Sequence, residues 1–221
     1  MKGWLEMEWL TGFLGSNWIE ISATLFGFAC VALTVKQNIW CWPTGLVQVV
    51  LYIFVFYHAK LYSDLILHVI YIGLQFFGWY FWLHGGKNQT SAPVIKLSGI
   101  NQSAFTSAYM WMAVTIFSTS VWGFIMKTWT DASLPYWDAF TTVASLIATY
   151  LMAKKVLESW LWWIAVDVVA IGVYFYKGLY PTTVLYITFL VMATMGYFSW
   201  KKSLKGQSNE ENFSSTTNAI D

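Results

Sequence analysis

Five side chains that can transfer protons, form hydrogen bonds or stack on rings recur between positions 64 and 79. They are spaced by four, three, four and four residues: Asp64, His68, Tyr71, Gln75 and Trp79. This spacing places all five on one face of an α-helix. Polar side chains inside a membrane span are costly, and they mark functional sites by default. We therefore expect a substrate-binding face that includes Tyr71 and Gln75, with Asp64 and His68 as candidates for gating or proton transfer.

Two further apolar stretches carry pairs of the same kind. Gln48 and Tyr52 lie four residues apart in one stretch, and Trp163 and Asp167 lie four apart in another. Lys177 follows at the end of the second stretch and is a third candidate for gating or proton transfer. Gln48, Trp163 and Asp167 lie well inside their stretches, where a buried amide or acid needs a partner. If the polar faces of the two halves pack against each other, they line one central cavity.

The residue types indicate the class of ligand. Aromatic faces stack on planar rings and bind cationic rings best, amides and hydroxyls suit sugar hydroxyls, and an aspartate can balance a positive ring. The chain contains no arginine, and no lysine lies deep in an apolar stretch, so a phosphate group has no obvious partner. No phosphate-binding loop, Cys/His metal spacing or serine elbow occurs. We predict an uncharged or cationic aromatic ligand without phosphate, and no metal or cofactor.

Structural explanations compete with these functional ones. Ser145 and Thr149 are small hydroxyl residues of the kind that lets membrane helices approach each other. His68 could be an interior histidine with satisfied hydrogen bonds, and Asp64 and Lys177 lie near span ends, where they could be interfacial. Tryptophans near span ends usually form interface belts, and we expect this of four: Trp82, Trp122, Trp129 and Trp200.

Composition excludes most protein classes. The chain has 221 residues, of which 57% are hydrophobic and 10% charged. A typical soluble domain has about 25% charged residues, so a soluble enzyme is excluded. The net charge of +1 provides no basic field for a nucleic acid. The two cysteines suggest packing, without a disulfide framework.

The apolar stretches predict an all-α integral membrane protein with seven spans. Each span is close to the ~20 residues needed to cross the hydrocarbon core. Before them lies an N-terminal segment, residues 1–17, which has no signal-peptide pattern. A polar loop, 85–103, divides the spans, and a polar tail, 201–221, is predicted to be disordered. The predicted spans are 18–36, 40–58, 62–84, 104–127, 137–153, 160–176 and 180–200.

The lysines predict an orientation. With seven spans, eight lysines fall on the side of the C-terminus and four on the other. By the positive-inside rule, the C-terminus is cytoplasmic and the N-terminus is outside.

An internal repeat appears when the chain is shifted by 118 residues. The shift aligns Lys36 with Lys154 and Trp42 with Trp160, and further pairs include Glu20 with Asp138, Gly78 with Gly196 and Trp82 with Trp200. The register holds without a gap across three spans. It predicts two three-helix repeats, 18–84 and 137–200, which the linker helix 104–127 keeps parallel. Such repeats are a transporter architecture.

These motifs resemble those of the PnuC vitamin transporters over residues 18–200. The resemblance is carried by NIWCWPTG at 38–45, LYSD at 61–64, GWYFW at 78–82, WLWWIAVD at 160–167 and YFYKGLY at 174–180. It implies a SWEET-like seven-helix fold, a homotrimer and a location in the inner (plasma) membrane. It also implies uptake of nicotinamide riboside, an NAD precursor, by facilitated diffusion, with trapping by a cytoplasmic riboside kinase.

The resemblance further implies roles for individual residues. Tyr52 and Trp163 would stack on the nicotinamide ring, Gln48 and Asp167 would form hydrogen bonds, and Asn38 matches a family position at the start of the second span. Relatives carry thiamin or riboflavin, and these ligands remain alternatives. A membrane acyl- or prenyl-transferase would need an acidic metal motif or a His–Asp pair at a cytoplasmic face. Asp64 with His68 comes nearest to this, but neither has a second acidic cluster beside it. A wide channel should show rings of like charge or small residues, and none is evident.

Overall fold

The computed structural model describes the backbone at residues 2–58, 62–84, 103–129, 134–176, 178 and 180–217. It describes side chains at 18–55, 57, 65–84, 109–129, 134–176, 178, 180 and 182–206. The described part of the chain contains seven α-helices. They are α1 (Lys2–Val35), α2 (Cys41–His58), α3 (Tyr62–His84), α4 (Ser103–Trp129), α5 (Pro135–Ala153), α6 (Ser159–Tyr176) and α7 (Tyr180–Thr217).

The helix bounds follow the predicted spans closely, except at the two ends of the chain. Helix α1 begins at Lys2, so it includes the segment that the sequence analysis set apart as residues 1–17. Helix α7 continues to Thr217, where a disordered tail from residue 201 was expected. No proline interrupts either extension, and a polar sequence can continue an existing helix because each added residue gains a backbone hydrogen bond.

Within the described residues, five helices are long and apolar enough to cross a membrane: α1, α3, α4, α6 and α7. Helix α2 contains a shorter apolar segment, Cys41–Val55. Large apolar side chains are widely exposed on these helices, as on a surface that faces lipid. The all-α membrane fold is therefore confirmed, while the count of seven spans stays a prediction.

The chain divides into two compact units, residues 1–80 and 81–221. In the first unit, α1 packs against α2; in the second, α5 packs against α4 and α6, and α6 against α7. The boundary falls inside α3, so the last turn of this helix belongs to the second unit.

The turns after α1 and α5 have the same geometry. Gln37 and Lys155 both adopt the left-handed conformation, with φ values of 55° and 54°. The amide of Gln37 donates to the carbonyl of Thr34 at 2.9 Å, and that of Lys155 donates to Met152 at 3.0 Å. Both turns are Schellman motifs, in which the position held here by Gln and Lys is usually glycine. Each pair of equivalent residues is 118 positions apart.

A tryptophan packs on a glycine in each unit. The ring of Trp42 in α2 occupies the space where a Cβ atom of Gly78 would lie, and Trp160 in α6 does the same at Gly196. All four residues are buried. Glycine is required at both positions because the ring lies directly against the helix backbone. The two pairs are again related by 118 residues.

Three tryptophans form the core at one end of the second unit. The rings of Trp82 and Trp160 lie 6.3 Å and 5.6 Å from the ring of Trp200, measured between centroids. The indole nitrogen of Trp82 donates to the carbonyl of Ala153 at 3.0 Å, and the ammonium of Lys155 lies 4.2 Å from its ring centroid. The expectation of an interface belt therefore fails for Trp82 and Trp200, because these rings pack against each other and are buried. Trp122 and Trp129 are exposed.

Candidate functional site

A chain of polar and aromatic contacts crosses three helices of the first unit. The hydroxyl groups of Thr24 in α1 and Tyr52 in α2 share a hydrogen bond of 3.2 Å. The ring of Tyr52 lies 5.8 Å from that of His68 in α3, and His68 meets Tyr71 edge-on at 5.6 Å. The structure thus brings Tyr52 of α2 together with His68 and Tyr71, which the spacing had placed on one face of α3. Thr24 extends the set, and its hydroxyl fixes the position of the Tyr52 ring.

The two amides of the first unit each lie against a glycine. The Nε2 atom of Gln48 lies 2.9 Å from the position that a Cβ atom of Gly27 would take. The Nε2 and Oε1 atoms of Gln75 lie 2.6 Å and 2.9 Å from the equivalent position at Gly45, and the Sγ atom of Cys30 lies 3.0 Å from it. Within the described residues, the buried Oε1 atom of Gln75 has no hydrogen-bond partner. Both amides therefore lie beside a glycine of a neighbouring helix.

Helix α6 carries the predicted residues of the second unit. Asp167 is only 3% exposed, and Trp163, one turn before it, is half-buried. A buried carboxyl group is costly unless a partner or ligand compensates it. Further along α6, the ring of Tyr174 stacks on Tyr186 of α7 at 5.1 Å, with 23° between the planes. This helix therefore presents an acid and several aromatic faces on one element.

The remaining candidates have different outcomes. The side-chain oxygen of Asn38 accepts a hydrogen bond from the backbone amide of Trp40 at 3.0 Å, which gives Asn38 a local role in the turn before α2. The side chain of Asp64 and the whole of Lys177 lie outside the described residues.

Taken within each unit, these side chains suit binding more than covalent chemistry. The first unit offers hydroxyl, imidazole and amide groups, which can bind the hydroxyl or carboxamide groups of a ligand. The second offers ring faces beside an acid, which suit a planar cation.

Comparison with known proteins identifies the family. A family model described as nicotinamide mononucleotide transporter matches residues 17–202. The chain belongs to this family. It is 27% identical to the nicotinamide riboside transporter PnuC of Escherichia coli over 213 residues, which cover 86% of this chain and 87% of that one. The riboflavin/roseoflavin transporter RibM of Streptomyces davaonensis is 21% identical, with 83% of this chain and 84% of RibM covered.

A solved structure agrees with this assignment. The crystal structure of the vitamin B3 transporter PnuC matches with a TM-score of 0.68 and 26% identity, and the match covers 89% of this chain and 86% of that one. The resemblance to PnuC is thereby confirmed. The chain is a multi-pass membrane protein of a transporter family and not an enzyme.

Several residues of α1 that contact the candidate site were not predicted from the sequence. Thr24, Gly27 and Cys30 follow at spacings of three on one side of α1, and each contacts a predicted residue or its glycine. The spacing was visible in the sequence, but small residues in an apolar helix give no sign of what they contact.

Proposed function

We propose that this protein transports nicotinamide riboside across the membrane. The proposal rests on the family match over residues 17–202 and on the similarity to proteins named as nicotinamide riboside transporters. The polar chain from Thr24 to Tyr71 supports it, because polar side chains inside membrane spans are costly and mark functional sites by default.

The charge distribution favours the riboside over the phosphorylated mononucleotide in the family's description. A phosphate is held best by arginine or by lysines that reach it, and the chain contains no arginine. The described lysines lie at helix ends, in the turns or in the polar end of α7, as Lys127 and Lys154 illustrate. A phosphate in mid-membrane would have no cationic partner among them, whereas a pyridinium ring needs aromatic faces and an acid.

We assign binding roles unit by unit. In the first unit, Tyr52 stacks on the nicotinamide ring, and Gln48 and Gln75 form hydrogen bonds to the substrate. Tyr71 and Asn38 are further substrate-binding residues. In the second unit, Trp163 stacks on the ring and Asp167 balances its positive charge.

The proposed architecture is a repeat of one three-helix unit. Residues 18–84 and 137–200 are two copies of one three-helix unit, joined by the linker helix 104–127. Support comes from the Schellman turns and the Trp–Gly pairs that repeat at 118 residues.

Transport proceeds by alternating access and facilitated diffusion in the inner membrane, with the N-terminus outside, and a cytoplasmic kinase traps the riboside. The protein works as a homotrimer, and Asp64, His68 and Lys177 are the residues available for gating or for carrying a proton.

Uptake by proteoliposomes tests the proposal. Vesicles without any ion gradient should accumulate labelled nicotinamide riboside in exchange for unlabelled riboside inside, and should ignore the mononucleotide. Trp163→Ala should abolish exchange, whereas Trp122→Ala, at a position 44% exposed on α4, should not. Uptake that requires an imposed proton gradient would refute facilitated diffusion, and equal uptake of the mononucleotide would refute the substrate.

Riboflavin is the second candidate, because RibM is named for it and matches most of this chain. Thiamin is a third, since it is also a cationic aromatic. Exchange of labelled riboflavin or thiamin, with no exchange of the riboside, would keep the transporter and change its substrate.

A further inference from the structure

Three glycines of the first unit have close neighbours, and they fall into two groups according to the atoms that an added Cβ atom would meet. At Gly78 it would meet the ring of Trp42, which is buried and rigid. At Gly27 and Gly45 the nearest atoms are those of the Gln48 and Gln75 amides, at the free ends of flexible side chains. A larger residue at Gly78 must therefore disturb the fold, whereas at Gly27 it has to displace an amide, and at Gly45 an amide and the thiol of Cys30.

An internal comparison separates fold from function at these positions. The Trp–Gly pair recurs 118 residues later as Trp160 and Gly196, but the amide–glycine pairs do not. Where the first unit has Gly45 and Gln75, the second has Trp163 and Ala193. The first unit has the small residue on α2 and the large one on α3, whereas the second has the large residue on α6 and the small one on α7. If the shared scaffold needed Gly45, the second unit could not carry a tryptophan in its place.

The Gln75 amide is the more constrained of the two. Gly45 lies on one side of it and is itself close to Cys30 of α1. The Oε1 atom is buried, and none of the described residues donates a hydrogen bond to it. This oxygen has almost no surface open to a ligand in the described conformation, so a ligand contacts it only after the neighbouring helices open. A buried acceptor without a donor costs about 1–3 kcal/mol, and a donor from the ligand then supplies what the free protein lacks.

We propose that Gly27 and Gly45 are positioning residues, which hold the amides of Gln48 and Gln75 in the orientation that recognises a hydrogen-bond donor of the substrate. The inference rests on the proposed function and adds to it the residues that set the geometry. A ribose hydroxyl and a carboxamide N–H are both such donors.

Calorimetric binding to the detergent-purified protein tests the proposal, with nicotinamide riboside, nicotinic acid riboside, thiamin and riboflavin as ligands. Gly45→Ala should weaken binding of the preferred ligand roughly tenfold, the equivalent of one well-placed hydrogen bond. Gly73→Ala is the matched control, because a Cβ atom there meets nothing within 4 Å; it should bind as the wild type does. The midpoint of thermal unfolding should be preserved in both.

The decisive measurement is the affinity of the double variant, Gly45→Ala with Gln75→Ala. Removing the amide makes room for the methyl group, so Gly45→Ala should have no further effect on affinity in that background. An undiminished effect would overturn the proposal, as would wild-type affinity in Gly45→Ala. If Gly45→Ala does not fold because Cys30 cannot move, Gly27→Ala with Gln48→Ala replaces it, since the three atoms nearest to that position all belong to Gln48.

The choice of ligands distinguishes the ribose hydroxyl from the carboxamide N–H as the donor. It also distinguishes a failure of the proposed function from a failure of the positioning role. Nicotinic acid riboside lacks the carboxamide N–H but keeps the ribose. If the carboxamide is the donor, Gln75→Ala should reduce the preference for nicotinamide riboside over the acid; if the ribose is the donor, both should weaken equally. Failure of the wild-type protein to bind any ligand overturns the proposed function, and the positioning role with it. Wild-type binding that is unaffected by Gly45→Ala overturns the positioning role alone.

Discussion

Gly196→Ala should destabilise the protein, although alanine is the better helix former. The added Cβ atom would lie 2.5 Å from the Cη2 atom of Trp160 and 2.6 Å from two more carbons of its ring. Carbon atoms in contact are normally about 3.5–4.0 Å apart, so the ring must retreat by about 1 Å. It has little room to do so, because it is 2% exposed and lies edge-on to Trp200 at 5.6 Å.

The magnitude follows from two opposing terms. Overpacking a tight core costs about 1–3 kcal/mol, and the confined ring places this site in the upper half of that range. Replacing a helical glycine with alanine returns about 0.5–1 kcal/mol. We expect a net loss of about 1–2.5 kcal/mol, which corresponds to a fall of roughly 2–10 °C in the unfolding midpoint.

Gly172→Ala is the matched control in the neighbouring helix α6, because a Cβ atom there meets nothing within 4 Å. It should raise the midpoint, because alanine is favoured over glycine in a helix, so the two glycines should respond with opposite signs. Thermal unfolding in detergent micelles, followed by near-ultraviolet circular dichroism, measures both. Equal midpoints for the two variants would refute the packing argument. Trp160→Phe should remove most of the penalty of Gly196→Ala, since the clashing atoms belong to the ring that phenylalanine lacks.

Three further predictions concern hydrogen bonding and charge. Tyr52→Phe keeps the ring but loses the bond to Thr24, and it should lower the free energy of unfolding by about 1 kcal/mol in chemical denaturation; wild-type stability would show that the bond contributes nothing. Lys155→Met keeps the apolar stem but removes the cation above Trp82, and a loss of about 0.5–2 kcal/mol is expected in the same assay, with no loss contradicting the contact's role. Asp167→Asn should weaken calorimetric binding of cationic nicotinamide riboside far more than that of neutral riboflavin, and an equal effect on both would exclude a charge-balancing role.

The sequence was sufficient to predict most helix bounds. Proline marks the start of α5 at Pro135, and polar stretches interrupt the apolar runs. The ends of the chain could not be predicted in the same way, because composition alone does not show whether a polar segment continues an existing helix. This is the case for α7, which continues to Thr217.

The sequence predicted which candidate side chains share a face of one helix, but not which side chains of different helices contact each other. Spacing put His68, Tyr71 and Gln75 on one side of α3, and the first two are indeed in contact. Spacing could not show that Thr24 reaches Tyr52, because a contact between helices depends on how each is rotated. The same limit explains Trp82, whose position near a span end suggested an interface although packing buries it.

The proposed repeat gives a way to separate fold from function inside one chain. Positions that coincide after a shift of 118 residues carry structural duties: the left-handed turns at Gln37 and Lys155, and the tryptophan rings on Gly78 and Gly196. A duplicated scaffold has to keep these, since either copy would lose its packing without them.

Positions that differ between the copies are free of that duty, and the polar residues concentrate there. His68 corresponds to Tyr186, and Gln48 corresponds to Val166, whereas the acid Asp167 corresponds to Val49. Each copy therefore has polar groups where the other has apolar or aromatic ones. The binding roles proposed for these residues therefore need no counterpart in the other copy, because the shared scaffold depends on the turns and on the tryptophan–glycine pairs.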